Sequence, residues 1–371
     1  MSVKESLTSR QLIFLLVLFL FGSSVVIGVN INSDVGQDSW IALLFSFIFS
    51  IPIVLIFSKI ISMFPEKNIY EIMDILFGKN IGKILNFLFF LNALYLVSIE
   101  LRIFSEFVEI TTLSNTPPFP VMLSLMLIVI YLAKSGINIL SRWGPICIAI
   151  IALTIIFTII LSTPVIEFDN LKPVLEHNFK QISSAAFSIF MAPFSEITFL
   201  LGMADCFKLK NKEKKTFLIG IFISGLILII ILFRNIMVLG VPLLKNSLFS
   251  SYEAARIIKL GEFLTRIEGV ITINFVLAGV TKITLLAIVV SKGLAHLSKN
   301  LDYKKLIVPS CLLILAICPF LFEDVIDMFD FASIYIIYAF PIQVLLPVVI
   351  FAYGLYKKKK EENKKTLVQT N

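Results

Sequence analysis

Charged and metal-binding side chains are scarce in this 371-residue chain. Only 15% of its residues are charged, and it has two histidines and four cysteines. His177 and His296 lie far apart, and the sequence has no serine, histidine and acid set, no phosphate-binding glycine loop and no metal-ligand spacing. The cysteines lie in or beside apolar runs, so they indicate no extracellular disulfide framework. We therefore expect no enzyme, no metal site and no cofactor.

The chain consists instead mainly of long hydrophobic segments. It is 58% hydrophobic, with a mean hydropathy of +0.96. Runs of roughly 20 apolar residues, enough to cross a bilayer, recur from end to end and leave no stretch for a soluble domain. We expect one all-α polytopic membrane domain over residues 1–371. Its ten predicted spans are 11–30, 39–62, 82–107, 119–133, 143–162, 182–205, 216–238, 265–290, 306–323 and 331–355.

Lysine and arginine predict the orientation, because loops rich in them stay cytoplasmic. With the N-terminus inside, the basic run 208–215 and the basic tail 356–371 are both cytoplasmic, whereas the predicted outer loops near Asp38 and Asp324 have neither lysine nor arginine. The net charge of +7 is therefore interpreted as a topology signal, and no nucleic-acid binding is expected. The tail is placed to contact anionic membrane lipid.

Two predicted spans carry helix breakers near their middle. Span 1 has Gly22, Ser23 and Ser24, and span 6 has Pro193 followed by polar residues. These spans open the two halves of the chain, at about 11–162 and 182–355, and an odd number of spans per half inverts the second. The pattern predicts a five-plus-five inverted repeat of a secondary-transporter fold, with broken helices 1 and 6 around a midplane site. Close helix packing and a simple proline kink are the alternative interpretation.

Broken helices favour a ligand with both charges. A half-helix N-terminus attracts a carboxylate and the opposing carbonyl ends suit an ammonium, so an amino acid is the natural candidate. Glu196, beside the second break, is expected to accept the ammonium or take up a proton, or else to cap the second half-helix.

Other ionisable residues lie inside the predicted spans, where they are costly and mark sites or partners. Arg102 and Glu106 are four apart on one helical face, so a local ion pair in span 3 is the simplest account of them and of Glu100. Lys282 is expected to snorkel or to neutralise a carboxylate from another helix. The candidate charge network is Glu100, Arg102, Glu106, Arg266, Glu268 and Lys282.

Five segments carry a family resemblance. They are Gly-Gln-Asp-Ser-Trp-Ile at 36–41, Glu-Leu-Arg-Ile-Phe-Ser-Glu-Phe at 100–107, Asn-Leu-Lys-Pro-Val-Leu at 170–175, Ala-Pro-Phe-Ser-Glu-Ile at 192–197 and Arg-Ile-Glu-Gly-Val at 266–270. Their ordered set resembles the B subunit of endospore germinant receptors. That family is permease-like and belongs to the amino acid, polyamine and organocation transporter superfamily, and the resemblance covers nearly the whole chain.

The resemblance implies a protein of the spore inner membrane that binds a small nutrient, typically an amino acid. It also implies an A subunit and a C lipoprotein as partners. Lys282, beside Thr281, departs from the uncharged residue expected there in some relatives. A proton-coupled amino acid transporter stays open as an alternative, since it shares the fold of the receptor subunit. A passive channel, which requires a continuous polar path, stays open as a third. With the break residues included, the expected ligand-binding set is Gly22, Ser23, Ser24, Leu96, Pro193, Ser195, Glu196, Thr198 and Thr281.

Overall fold

The computed structural model describes residues 5–25, 35–113, 115–258, 268–298 and 301–369. Within these ranges, nine helices are long and apolar enough to cross a membrane, and a shorter apolar helix precedes them. The α-helices are α1 (Ser9–Gly22), α2 (Ser39–Met63), α3 (Ile69–Thr111), α4 (Pro118–Ser135), α5 (Ile137–Ser162), α6 (Phe179–Ile189), α7 (Glu213–Lys245), α8 (Ser250–Ile257), α9 (Glu268–Leu297), α10 (Tyr303–Ile317), α11 (Val325–Phe340) and α12 (Leu346–Gln369).

Helix α1 is short because it ends at the first predicted break. Thr8 caps its N-terminus in a capping box with Gln11, and the helix has 14 residues. At 1.5 Å per residue it is about 21 Å long, less than the roughly 30 Å of a bilayer core. A 3₁₀ turn, Ser23–Val25, follows Gly22. The remainder of the predicted span, residues 26–30, lies outside the described residues.

The second break is also at the predicted residues. Helix α6 continues into a π-helical turn, Phe190–Phe194, and then a 3₁₀ helix, Ser195–Cys206. Inside the turn, Ala192 has a non-helical φ of −134° and ψ of 107°. Pro193 has no backbone N–H to continue the ladder of hydrogen bonds. The break in span 6 is therefore confirmed, and α1 ends at the residues where the break in span 1 is predicted.

Several predicted boundaries were too narrow. The third span belongs to α3, whose first turns precede a bend at Gly78 with φ +76°. Span 10 belongs to one long helical stretch in which α11 and α12 are joined by a π-helical turn, Pro341–Leu345. Hydropathy marks only the apolar part of a helix, so polar or amphipathic ends beyond the bilayer core are missed.

Helix α9 lies at the centre of the bundle. Every side chain from Ala278 to Gly293 is buried, as expected for a helix surrounded by other helices. Small residues permit this packing: a Cβ on Gly279 would overlap the ring of Phe104 in α3. Polar side chains on α9 therefore face protein rather than lipid.

A short parallel sheet ties the two broken spans together at one end. Strand β1 (Leu7–Thr8), just before α1, pairs with β2 (Phe207–Lys208), which directly follows the 3₁₀ helix of span 6. In the orientation predicted from lysine and arginine, this is the cytoplasmic end, which stays a prediction. The two breaks are consequently held beside each other deeper in the bundle.

Candidate functional site

The ammonium of Lys282, on α9, connects both breaks. Its side chain is fully buried, and Nζ donates hydrogen bonds to Ser23 Oγ at 2.5 Å, Glu100 Oε1 at 2.5 Å and Glu196 Oε2 at 2.7 Å. The two carboxylates come from α3 and from the segment after the second break. We call Lys282, Ser23, Glu100 and Glu196 the lysine cluster. One cation thus joins four membrane spans at the interruptions of two of them.

Gly22 allows this arrangement by its lack of a side chain. A Cβ at that position would lie 3.2 Å from Lys282 Cβ and 3.3 Å from the carbonyl oxygen of Ala278. Span 1 therefore runs against the backbone of α9, and Ser23 follows at the start of the 3₁₀ turn. The ring of Phe19, one turn earlier, lies 5.3 Å from Lys282 Nζ, within the range of a cation–π interaction.

Span 10 supplies a second layer of polar groups. The hydroxyl of Tyr335 donates to Glu196 Oε1 at 3.2 Å, and Gln343 Nε2 donates to the Tyr335 hydroxyl at 2.7 Å. Ser195 Oγ donates to Gln343 Oε1 at 2.5 Å, and Thr198 Oγ1 donates to the backbone carbonyl of Gln343 at 2.6 Å. Gln343 lies in the π-helical turn of span 10, so that turn is bonded directly to the second break.

Charge is not balanced within the lysine cluster. Glu100 and Glu196 face a single ammonium, and no second cation of the described residues forms an ion pair with either carboxylate. With all three groups ionised the cluster carries one net negative charge. Burying such a charge in a membrane protein costs several kcal/mol. The site is therefore suited to take up a proton or a cationic group.

The structure brings only part of the predicted charge network together. Arg102 and Glu106 form the expected buried ion pair at 2.7 Å. The expectation that Glu100 belongs to that local pair was wrong, because its carboxylate faces Lys282 on a different helix. Glu268 begins α9, far along the helix from Lys282. Arg266 lies outside the described residues.

The remaining predicted ligand residues lie near the breaks without joining the cluster by a hydrogen bond. Ser24 Oγ donates to the Phe21 carbonyl at 2.5 Å, and Thr281 Oγ1 donates to the Leu277 carbonyl at 2.8 Å. Leu96 is buried on α3, and Pro193 is buried within the second break. Their role in ligand binding stays a prediction.

Sequence reasoning missed the contribution of span 10. In span 10 a proline, Pro341, and a side-chain amide, Gln343, lie inside an apolar run. The second break was identified from the same kind of signal. Tyr335 gave no such signal, because tyrosine is common in membrane helices. The interruption of span 10 could therefore have been predicted from the sequence, but its contact with the second break could not.

A polar cavity of about 670 Å³ opens at the end of the bundle where strands β1 and β2 pair. Two ion pairs line it, Lys292 with Asp205 at 2.7 Å and Lys304 with Glu5 at 2.9 Å, and a hydrogen bond joins His296 Nε2 and Asp74 Oδ2 at 2.8 Å. Lys292 is ten residues from Lys282 on α9, which corresponds to about 15 Å. The two ion pairs join the ends of the broken spans to α9 and α10, and the hydrogen bond joins α3 to α9.

The architecture defines the class of protein. The chain matches the solved structure of Mhp1, a nucleobase-cation-symport-1 family transporter in a closed conformation with bromovinylhydantoin bound, with a TM-score of 0.70. The match covers 94% of this chain and 78% of Mhp1 at 13% sequence identity. This likeness shows a membrane protein with the LeuT-like transporter fold. The five-plus-five inverted repeat stays a prediction.

The family follows from the sequence itself. A family model described as spore germination protein matches residues 6–325, and the chain belongs to that family. It is 28% identical over 369 residues to spore germination protein KB of Bacillus subtilis (strain 168), covering 98% of each chain. It is 24% identical over 336 residues to spore germination protein A2 of the same organism, covering 87% of each. The resemblance in the five sequence segments is thereby confirmed.

Proposed function

We propose that this protein is the membrane subunit of a spore germinant receptor, which binds a small nutrient, most simply an amino acid, where the two broken spans meet. The lysine cluster carries this proposal. It concentrates three charged side chains at the interruptions of a transporter fold, away from lipid. Charged groups in such a position mark ligand or ion sites in membrane proteins.

An amino acid has the charges to enter this cluster. Its carboxylate would pair with the Lys282 ammonium and its ammonium with Glu196, so that positive and negative groups alternate. Binding would exchange the direct Lys282–Glu196 ion pair, at 2.7 Å in the structure, for two pairs through the ligand. A ligand with different affinity for two arrangements of the broken spans shifts the population between them.

The response then has to reach partner subunits. We propose the A subunit and the C lipoprotein in this role, in the spore inner membrane, with both termini of this chain cytoplasmic. Helix movement at the breaks changes the surface that the bundle presents to these subunits, which couples nutrient binding to their state.

Germination of complemented spores tests the proposal. Spores that lack this gene, and the same strain expressing the wild type, Glu196→Gln or Glu253→Gln, are exposed to single nutrients while loss of refractility is followed. Deletion should abolish the response to one nutrient class. We expect Glu196→Gln to raise the half-maximal concentration at least tenfold at a normal protein level. Glu253, partly exposed on α8 and paired with Arg256, is the matched control and should leave the response unchanged.

Two results would count against the receptor. A normal response of Glu196→Gln spores would remove Glu196 from the site. A normal response of deletion spores to every nutrient, in a strain without related receptors, would favour a proton-coupled amino acid transporter. The net charge of the lysine cluster is the observation that supports this second candidate. A transporter should accumulate amino acid in proteoliposomes under a pH gradient, and a receptor subunit should not.

A further inference from the structure

Arg234 on α7 is a buried cation that has no carboxylate partner among the described residues. It is 4% exposed, and its hydrogen bonds go to neutral acceptors: Nε and Nη2 to Asn235 Oδ1 at 3.1 and 2.6 Å, and Nη2 to the Ser251 carbonyl at 3.1 Å. Within the described ranges no carboxylate forms an ion pair with it. Arg102, equally buried, has its carboxylate at 2.7 Å. Leaving a guanidinium charge unpaired inside a membrane bundle costs several kcal/mol.

A small cavity lies beside Arg234. It has a volume of about 20 Å³ and is lined by Arg234, by Asn274 of α9, by hydroxyl-bearing residues of α5 and by an aromatic pair. Asn274 is buried, and its Oδ1 has no hydrogen-bond partner in the described part of the chain. Oxygen and nitrogen of an amide exchange places by a flip, so this position can equally present an N–H donor.

The cavity is separate from the lysine cluster. Its aromatic pair, Phe21 and Phe275, is stacked with ring centroids 6.0 Å apart. Phe275 precedes Lys282 by seven residues on α9, about two helical turns or 10 Å. By the predicted orientation the cavity lies in the outer half of the bundle, between the first break and the outside.

We propose that this cavity binds a small monovalent anion, either free or as the carboxylate group of a larger ligand. Arg234 supplies the charge, and the Asn274 amide supplies a hydrogen bond. A volume of 20 Å³ holds about one water molecule or an ion of similar size. A halide, or one oxygen of a carboxylate group, therefore fits, and a whole sulfate ion does not. The proposal concerns a different cavity from the nutrient site and stands independently of it.

The chain contains its own reporter for this site. Its two tryptophans are Trp40 and Trp143. The Trp40 ring lies 5.4 Å from that of Phe233, the residue next to Arg234. In a Trp143→Phe background, fluorescence of the purified full-length protein in detergent reports Trp40 alone. Sodium chloride, sodium acetate or glycine is titrated against sodium sulfate at constant ionic strength.

We expect a saturable change in Trp40 fluorescence that is weakened at least tenfold by Arg234→Gln. Asn274→Asp places a carboxylate in the cavity and should abolish the response. Arg256→Gln removes an exposed arginine of α8 that already has a carboxylate partner, and it should respond like its parent. A response to chloride identifies a free anion as ligand. A response to acetate or glycine without one to chloride identifies a carboxylate group.

The proposal is overturned if the Trp143→Phe protein shows no saturable response to any of the three titrants. It is also overturned if folded Arg234→Gln, judged by its gel-filtration elution and circular dichroism, responds with unchanged affinity. Should that variant not fold, the parent protein and Asn274→Asp still decide the matter. A response that Asn274→Asp retains in full would place the anion elsewhere.

Discussion

Replacing Lys282 with methionine is the most informative perturbation of the central site. Methionine keeps an unbranched apolar side chain but removes the cation, so Glu100 and Glu196 are left buried without their shared partner. At an effective dielectric constant near 20, each ion pair at 2.5–2.7 Å contributes about 6 kcal/mol before desolvation is counted. Most of this is offset by the desolvation of three charged groups.

The net loss of stability in Lys282→Met depends on the carboxylates that remain buried without a cation. Removing one partner of a buried ion pair typically costs about 3–5 kcal/mol, and we expect Lys282→Met to lower the free energy of unfolding by that amount. Unfolding by SDS in mixed micelles, followed by circular dichroism, measures it. Lys180→Met, at an exposed lysine at the start of α6, is the control and should change stability by less than about 0.5 kcal/mol.

Neutralising the carboxylates as well should restore stability. In the triple variant Lys282→Met, Glu100→Gln, Glu196→Gln no buried charge of the cluster remains, and replacement of a whole buried ion pair is often close to neutral. We expect it to unfold within about 2 kcal/mol of the wild type. A Lys282→Met protein as stable as the wild type, or a triple variant as unstable as Lys282→Met, would refute the reasoning.

Three further predictions concern single elements of the structure. Gly22→Leu should lower the free energy of unfolding in SDS by at least about 1–3 kcal/mol and abolish the nutrient response, because even a Cβ at this position would lie 3.2 Å from Lys282 Cβ. Wild-type stability and response in this variant would contradict the close contact. Asp38→Asn should hasten cleavage after Glu176, in the loop before α6, by endoproteinase Glu-C, since the Asp38 carboxylate accepts two backbone N–H bonds from that loop at 2.8 and 3.0 Å; an unchanged digestion rate would exclude this role. Arg102→Met should cost about 3–5 kcal/mol by leaving its buried carboxylate partner unpaired, and a loss below 1 kcal/mol in the same SDS assay would show that water reaches the pair.

The helix breaks could be predicted because their causes are local. Glycine and serines interrupt span 1, and Pro193 removes a backbone donor from span 6, wherever the rest of the chain lies. The same logic was available for Pro341 and Gln343 in span 10. Depth within a span likewise placed Lys282 and Glu196 near the middle of the membrane.

Pairing of the charges could not be predicted in the same way. Arg102 and Glu106 were paired correctly because they lie four apart on one helix. Glu100 was assigned to the same local group, although its partner Lys282 is 182 residues away in the sequence. Only the packing of α9 against α3 and the first break decides which of two nearby cations this carboxylate meets.

By itself, the sequence determined that this chain crosses a membrane many times and that two of its spans are interrupted. Both depend only on residues that are neighbours in the sequence, because the apolar length of a segment decides whether it can cross the bilayer and the residues at a break interrupt the helix locally. The tertiary structure alone decided that one lysine joins both breaks and that Arg234 borders a separate cavity. Electrostatic interaction in a buried site depends on distances of a few ångströms between helices, and those distances exist only in the packed bundle.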